Sequence, residues 1–355
     1  MTTTARRLRR VLAVGVSLVA AGSLVACAGT AEETSAASEL SGEVVFADYG
    51  GPTHDARQAA FFDGFSAETG VEVASATLED ALLFEMLEGG EGDYDLVQAS
   101  GDYVVSYSDN MIELPDTVDN DLMPEVGQPY AAGGFVFGIA QAWLTETFPD
   151  GGPQTWADFF DTEKFPGKRA WPGVAGSVDA SYEIALLADG VAPEDLYPLD
   201  IERAQAKLDT IKDDLVFYTS YAETQTLLTS GSAAIAVSVT GQYQSLINQG
   251  LDVTIQWNQA FPSASYFVIP TGAPNPENAI ALAEWMSEPE NQIAFVEKTG
   301  YGPSNSATFD LLSDEVKANV PNSEEHLAIS VTRDEEYIAA HREELYSSYG
   351  EWLAE

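Results

Sequence analysis

Glu43-Val-Val-Phe-Ala47 runs directly into Asp48-Tyr-Gly-Gly-Pro52, a short apolar strand delivering a turn with two glycines. Phe61, Phe62 and Phe65 then fall on one face at helical spacing, Thr53 reads as the cap and Gly70 as the left-handed stop, and Val71-Glu-Val73 resumes a strand. A strand, a glycine turn, a helix and a second strand make a right-handed crossover unit. Its turn opens at the carboxyl end of the strand, where open α/β sheets bind ligands.

The same logic recurs outward from this unit. Tyr94-Asp-Leu-Val-Gln98 predicts a strand ending in the polar turn Ser100-Gly-Asp102, so Asp48 and Asp102 are expected to face one cleft. Leu215 to Tyr218, then Glu223 to Thr229 stopped by Gly231, repeat strand, turn and helix. Ala234 to Val239, then Gln242 to Gln249 stopped by Gly250, repeat it again. Gly133 to Trp143 reads as a strand crossing between two lobes, and Val253 to Trp257 with Tyr266 to Ile269 as the return. The expected fold is α/β, with doubly wound lobes joined by crossing strands, and Glu335 to Trp352 forms a long closing helix.

Composition narrows the function. The chain has 355 residues, 45% of them hydrophobic, enough for two ordinary cores, and a formal charge of −42. Phosphate binding needs a basic face, so nucleic acid is excluded as a partner. Arg6-Arg-Leu-Arg-Arg10, the apolar run Val11 to Ala21 and Leu24-Val-Ala-Cys27 describe an export signal over 1–26, whose last residues resemble a bacterial lipobox with Cys27 as the lipidated residue. Residues 27–41, rich in alanine, serine, threonine and glutamate, read as a flexible tether. The body is then expected on the extracytoplasmic face of a bacterial cell membrane, in the periplasmic space or at the cell surface, held by its lipid. Lobe 1 is expected over 42–139 and 263–305, lobe 2 over 140–262, and residues 306–355 as helices packing back on lobe 2.

Catalytic patterns are missing from the sequence. His54, His326 and His341 lie outside any nucleophile-elbow context, and neither a His-Glu-x-x-His pattern nor a second cysteine supports a metal. Neither a cofactor nor a metal is expected. The 57 acidic residues leave a carboxylate-pair hydrolase formally open without nominating a pair. Trp257 and Tyr266, flanking the return crossing, are balanced between packing and ligand contact.

Several stretches agree with one family. Asp48-Tyr-Gly-Gly51, Ala60-Phe-Phe-Asp63, Thr155-Trp-Ala-Asp-Phe-Phe160, Lys164-Phe-Pro-Gly-Lys-Arg169, Leu196-Tyr-Pro-Leu-Asp200, Trp257-Asn-Gln259 and Tyr301-Gly-Pro303 resemble solute-binding proteins of polyamine-type bacterial ABC importers. The resemblance implies a two-lobed periplasmic-binding-protein-like (type II) fold, a monomer that closes on a small solute by hinge motion and passes it to a membrane permease, and no catalysis. It points to a cationic amine such as putrescine or spermidine, with an opine-like or amino-acid-like compound, an anion or ferric ion as alternatives. Carried over position by position, it implies Ser100 at the second turn and Glu183, with Asp179 nearby, as the acidic anchor of the second lobe. The residues along the expected cleft add Tyr49 and Tyr221 as ring contacts, Asp102 and Glu223 as further charge partners, and Thr240 beside Ser100 as a hydrogen-bonding group. The chain departs from the polyamine pattern where Asp102 and Thr240 replace aromatics, and where Ser263 and Ser265 replace a tryptophan and an aspartate.

Overall fold

The structure, a computed structural model, describes residues 40–122, 129–173 and 179–355. The export signal, Cys27 and all but the last two residues of the tether lie outside the described residues.

Among the described residues eight strands form one sheet in the order β2-β1-β3-β8-β4-β7-β5-β6. They are β1 (Glu43–Asp48), β2 (Glu72–Thr77), β3 (Leu96–Ser100), β4 (Ala131–Leu144), β5 (Arg169–Pro172), β6 (Leu215–Tyr218), β7 (Ile235–Val239) and β8 (Val253–Val268). At 14 and 16 residues, β4 and β8 are more than twice an ordinary strand, and they pair antiparallel along their length. The end of β8 pairs with β3, and the far half of β4 pairs with β7. All other pairings are parallel. The sheet is therefore two parallel half-sheets held on opposite edges of one long ribbon, the two doubly wound lobes and their crossing strands.

Alternating burial shows that both faces of each half are covered. In β1, Val44 and Phe46 enter one cluster with Phe61, Phe62 and Phe65, while Ala47 enters another with Leu83, Met86 and Val97. In the second lobe, Trp171, Ile235 and Val237 pack on one side, and Ala170, Tyr218 and Ala236 on the other.

Two expectations about local structure are corrected. The first helix begins at Gly51, with Pro52 in its first turn, and Thr53 is not its cap. Proline has no N–H to leave unpaired there and its φ suits the first turn, while the Gly50 N–H donates to Asp48 Oδ1 at 2.8 Å. The return crossing is one strand, interrupted by a bulge. The register passes from Phe261 opposite Ile139 to Gln256 opposite Gln141, which throws out residues 257–260. Trp156 Nε1 donates to the Gln259 carbonyl at 2.9 Å and the Gln259 N–H to the Ile329 carbonyl at 2.7 Å, so the bulge is pinned on both sides.

Against the single block expected for residues 306–355, the segment divides. Leu312 and Val320 cluster with Val296 of the helix Pro289–Thr299, in the first lobe. The closing helix Glu335–Ala354 instead buries Ile338, Leu345, Tyr349 and Trp352 in the core of the second lobe. Tyr349 fixes it there: its hydroxyl accepts from Trp171 Nε1 at 2.9 Å and donates to the Pro172 carbonyl at 2.6 Å. The same helix also packs on the first-lobe helix Gly101–Tyr107. It is thus a third connection between the lobes.

Candidate functional site

The turn after β1 is built around a buried ion pair. One π-helical turn, Gln58–Phe62, follows the first helix, and Arg57 immediately before it is directed inward. Its guanidinium pairs with Asp48, donates to Gln98 Oε1 at 2.9 Å, and lies over the Phe135 ring at 5.2 Å. Burial lowers the Arg57 pKa, and the Asp48 carboxylate opposes that shift. His54 Nδ1 lies 3.0 Å from Asp48 Oδ2. Asp48 is thereby committed to protein partners, and Tyr49 beside it is left 61% exposed at the rim.

At the second rim of lobe 1, Ser100 and Asp102 are brought together. Ser100 Oγ donates to Asp102 Oδ1, and Asp102 Oδ2 is ion-paired with Arg342 of the closing helix. Arg342 also stacks over the Tyr103 ring at 4.2 Å. Glu183 is treated similarly in lobe 2. It is buried on the helix Ser181–Ala188, where its Oε1 accepts from Tyr197 OH at 2.9 Å and from Arg333 Nε at 3.1 Å. Burial opposes charge on Arg333, but Glu183 and then Glu335 more than offset it, and its pKa is raised.

The remaining expected residues fall in two further places. Asp179 and Tyr221 meet at the lobe 2 rim, the hydroxyl donating to both carboxylate oxygens at 2.8 Å. Asp179 and Ala180 hold left-handed φ values of 42° and 60° immediately before a helix, conformations that cost roughly 1–2 kcal/mol per residue. Nearby, Glu223 accepts from the Thr219 N–H at 2.8 Å and its hydroxyl at 3.0 Å, which lowers the Glu223 pKa. Thr240 and Trp257 lie instead beside the crossing strand. Thr240 Oγ1 accepts from the Gly138 N–H at 3.2 Å, and Trp257 stacks on His326 at 4.0 Å.

Between these places, β8 and the segment leading into the closing helix enclose a cavity of about 190 Å³ lined by Ser263, Tyr266, Arg333, Asp334 and Glu335 among others. Tyr266 is 1% exposed and Ser263 8%, and neither hydroxyl has a hydrogen-bond partner among the described residues. Burial and then Glu335 raise the Tyr266 pKa. A Cβ on Gly101 would lie 3.4 Å from both Glu335 Oε2 and Tyr266 Cε2, so glycine leaves the cavity wall clear. Sequence reasoning missed Arg333, Glu335 and Arg342. The available signal was scarcity: only five arginines follow residue 26, and two of them are Arg333, just before the closing helix, and Arg342 within it.

Among the described residues no helix is long and apolar enough to cross a membrane. No group of three metal-ligating side chains is found among them either. The arrangement offers paired charges, open hydroxyls and exposed rings along a cleft, which bind rather than transform a polar molecule.

The model of the bacterial extracellular solute-binding protein family matches residues 60–322. A gamma-aminobutyric acid (GABA)-binding protein from Pseudomonas aeruginosa is 27% identical over 331 residues, 90% of this chain and 93% of that protein. Among solved structures, a GABA receptor shares 31% identity with a TM-score of 0.80, covering 88% of this chain and 98% of its own. AgtB from A. tumefaciens R10, in complex with agropinic acid, shares 28% identity with a TM-score of 0.77, covering 88% and 99%. A putative spermidine/putrescine transporter from Listeria monocytogenes, at 20% identity and a TM-score of 0.69 over 86% and 98%, shares the fold. The chain belongs to the bacterial extracellular solute-binding proteins, the substrate-binding components of ABC transporters and not enzymes.

Proposed function

We propose that the protein captures a small amino-acid-like solute, carrying both an ammonium and a carboxylate as GABA does, and delivers it to an ABC permease by closing its lobes. One observation carries this reading over the polyamine one. Asp102 and Glu183, the carboxylates expected to hold the two ends of a dication, are each ion-paired with an arginine. A dication would have to displace two guanidiniums, each leaving a buried carboxylate or a buried arginine behind, which costs several kcal/mol per broken pair. A solute of no net charge makes no such demand. The missing aromatics at Asp102, Thr240, Ser263 and Ser265 weigh the same way, as do relatives named for GABA and agropinic acid.

In this reading Tyr49 and Tyr221 supply ring contacts, and Ser100, Thr240, Trp257 and Tyr266 line the cleft. Asp179 and Glu223 sit at the lobe 2 rim, while Asp102 and Glu183 hold the arginines that border the solute. Lobe 1 comprises 42–139 and 263–305, and lobe 2 comprises 140–262. Cys27 carries the lipid that tethers a monomer to the outer face of the cell membrane. A thermal-shift panel on protein beginning after Cys27 tests the ligand class. A solute at ~100 times its Kd adds about 2.7 kcal/mol of stability. GABA is expected to raise Tm and putrescine to leave it unchanged; the reverse result would return the polyamine reading.

A further inference from the structure

Asp334, Glu335 and Glu336 line the cavity beside β8, and two carboxylates close enough to act on Glu335 are already paired, Asp102 with Arg342 and Glu183 with Arg333. Glu335 itself has no ion pair among the described residues. Arg333 attracts it but directs its Nε to Glu183. Lining the same cavity as Glu335 are Tyr266 and Ser263, both more than nine-tenths buried and their hydroxyls without a hydrogen-bond partner among the described residues. The cavity of about 190 Å³ holds roughly six water molecules' worth of space, enough for one end of a small solute.

We infer that Glu335, Tyr266 and Ser263 form a subsite that receives a primary ammonium group of the bound solute. The match is one of donors to acceptors. A primary ammonium presents three N–H donors, and the cavity presents a carboxylate and two hydroxyl oxygens with unused acceptor capacity. A quaternary ammonium lacks those donors. Water could serve the hydroxyls but gives Glu335 no cation of its own. Its charge is opposed by its surroundings: burial raises the Glu335 pKa, Arg333 counteracts this, and Asp102, Glu183 and Asp334 add to it. An arriving ammonium relieves all three deficits together. Gly101 belongs to the same device, since any side chain there would approach Glu335 and Tyr266.

The inference rests on the amino-acid-like reading above, and the experiment separates the two. Thermal unfolding of the protein beginning after Cys27 is followed at constant ionic strength in ethylammonium, tetramethylammonium and sodium chlorides, for wild type and Glu335→Gln. Ethylammonium is expected to raise Tm of the wild type only, with tetramethylammonium and sodium inert. Equal protection by sodium, or protection of both proteins by ethylammonium, would overturn the subsite. Titration with GABA adds the solute itself. Loss of the charge-assisted bond is expected to weaken binding roughly 10–150-fold in Glu335→Gln, and loss of a neutral bond roughly 2–10-fold in Tyr266→Phe. Unaltered GABA affinity in Glu335→Gln would discard the subsite and leave the amino-acid-like function standing. Ethylammonium protection that needs Glu335, in a protein that does not bind GABA, would keep the subsite and discard that function.

Discussion

Arg342 of the closing helix is ion-paired with Asp102 at the amino-terminal end of the helix Gly101–Tyr107 in the first lobe. The same closing helix buries Tyr349 and Trp352 in the core of the second lobe. One side chain therefore links the two lobes on the face where the solute is proposed to sit, and the link is electrostatic.

Replacing Arg342 by methionine leaves the Asp102 carboxylate buried without its cation. A loss of about 2–4 kcal/mol in unfolding free energy is expected, the low side of the range for a broken buried pair because Arg342 reaches solvent. The double variant Asp102→Asn with Arg342→Met should recover part of it. Urea denaturation of the two single variants and the double variant measures the coupling, and additive effects would show that the pair does not act as a unit.

Gly138 on the crossing strand is a second point of control. A Cβ there would lie 3.0 Å from Thr240 Cγ2 and 3.1 Å from Pro321 Cβ. Gly138→Ala is expected to cost about 1–3 kcal/mol through overpacking. Thr240→Ser removes the nearer methyl while keeping the hydroxyl that accepts from the Gly138 N–H, so the combination Gly138→Ala with Thr240→Ser should be more stable than Gly138→Ala alone. Calorimetric Tm values of the three variants decide it.

His326 supplies a pH dependence whose sign can be worked out. It stacks on Trp257, its Nδ1 donates to the Val320 carbonyl at 2.8 Å, and burial lowers its pKa from 6.5 despite that carbonyl and Glu325. As pH falls below 6.5 the unfolded chain takes up this proton before the folded one does, so the contribution is present above that pH and is lost below it. The fall in Tm between neutral and mildly acidic pH is expected to be shallower in His326→Phe, which keeps the ring stack. An identical slope would assign the acid sensitivity to other groups.

The fold was largely legible because its signals are local. Leu215 to Tyr218 and Glu223 to Thr229 are bounded by turn residues, and Gly70, Gly231 and Gly250 take the left-handed φ that ends a helix. β5 was hidden: its four residues begin with Arg169, just after the turn-forming pair Pro166-Gly167, and carry no strand pattern of their own. Arg169 is tolerated there because four carbonyls, those of Phe159, Asp161, Phe165 and Gly167, accept from it. β8 read as two pieces because Asn258, Pro262, Ser263 and Ser265 break its apolar pattern, and the bulge between Gln256 and Phe261 has no local signature. The site was legible only in its rim residues. Nothing near Asp102 or Glu183 announces that Arg342 and Arg333 will neutralise them, since those partners arrive from the far end of the chain. A carboxylate in a rim position carries no information about whether its charge is free.

The ligand's net charge is the claim on which the account turns. Isothermal titration of the protein beginning after Cys27, with GABA and putrescine in parallel at one pH and ionic strength, tests it most directly. The account predicts one-to-one binding of GABA and no heat above dilution with putrescine. Saturable putrescine binding without GABA binding would contradict it.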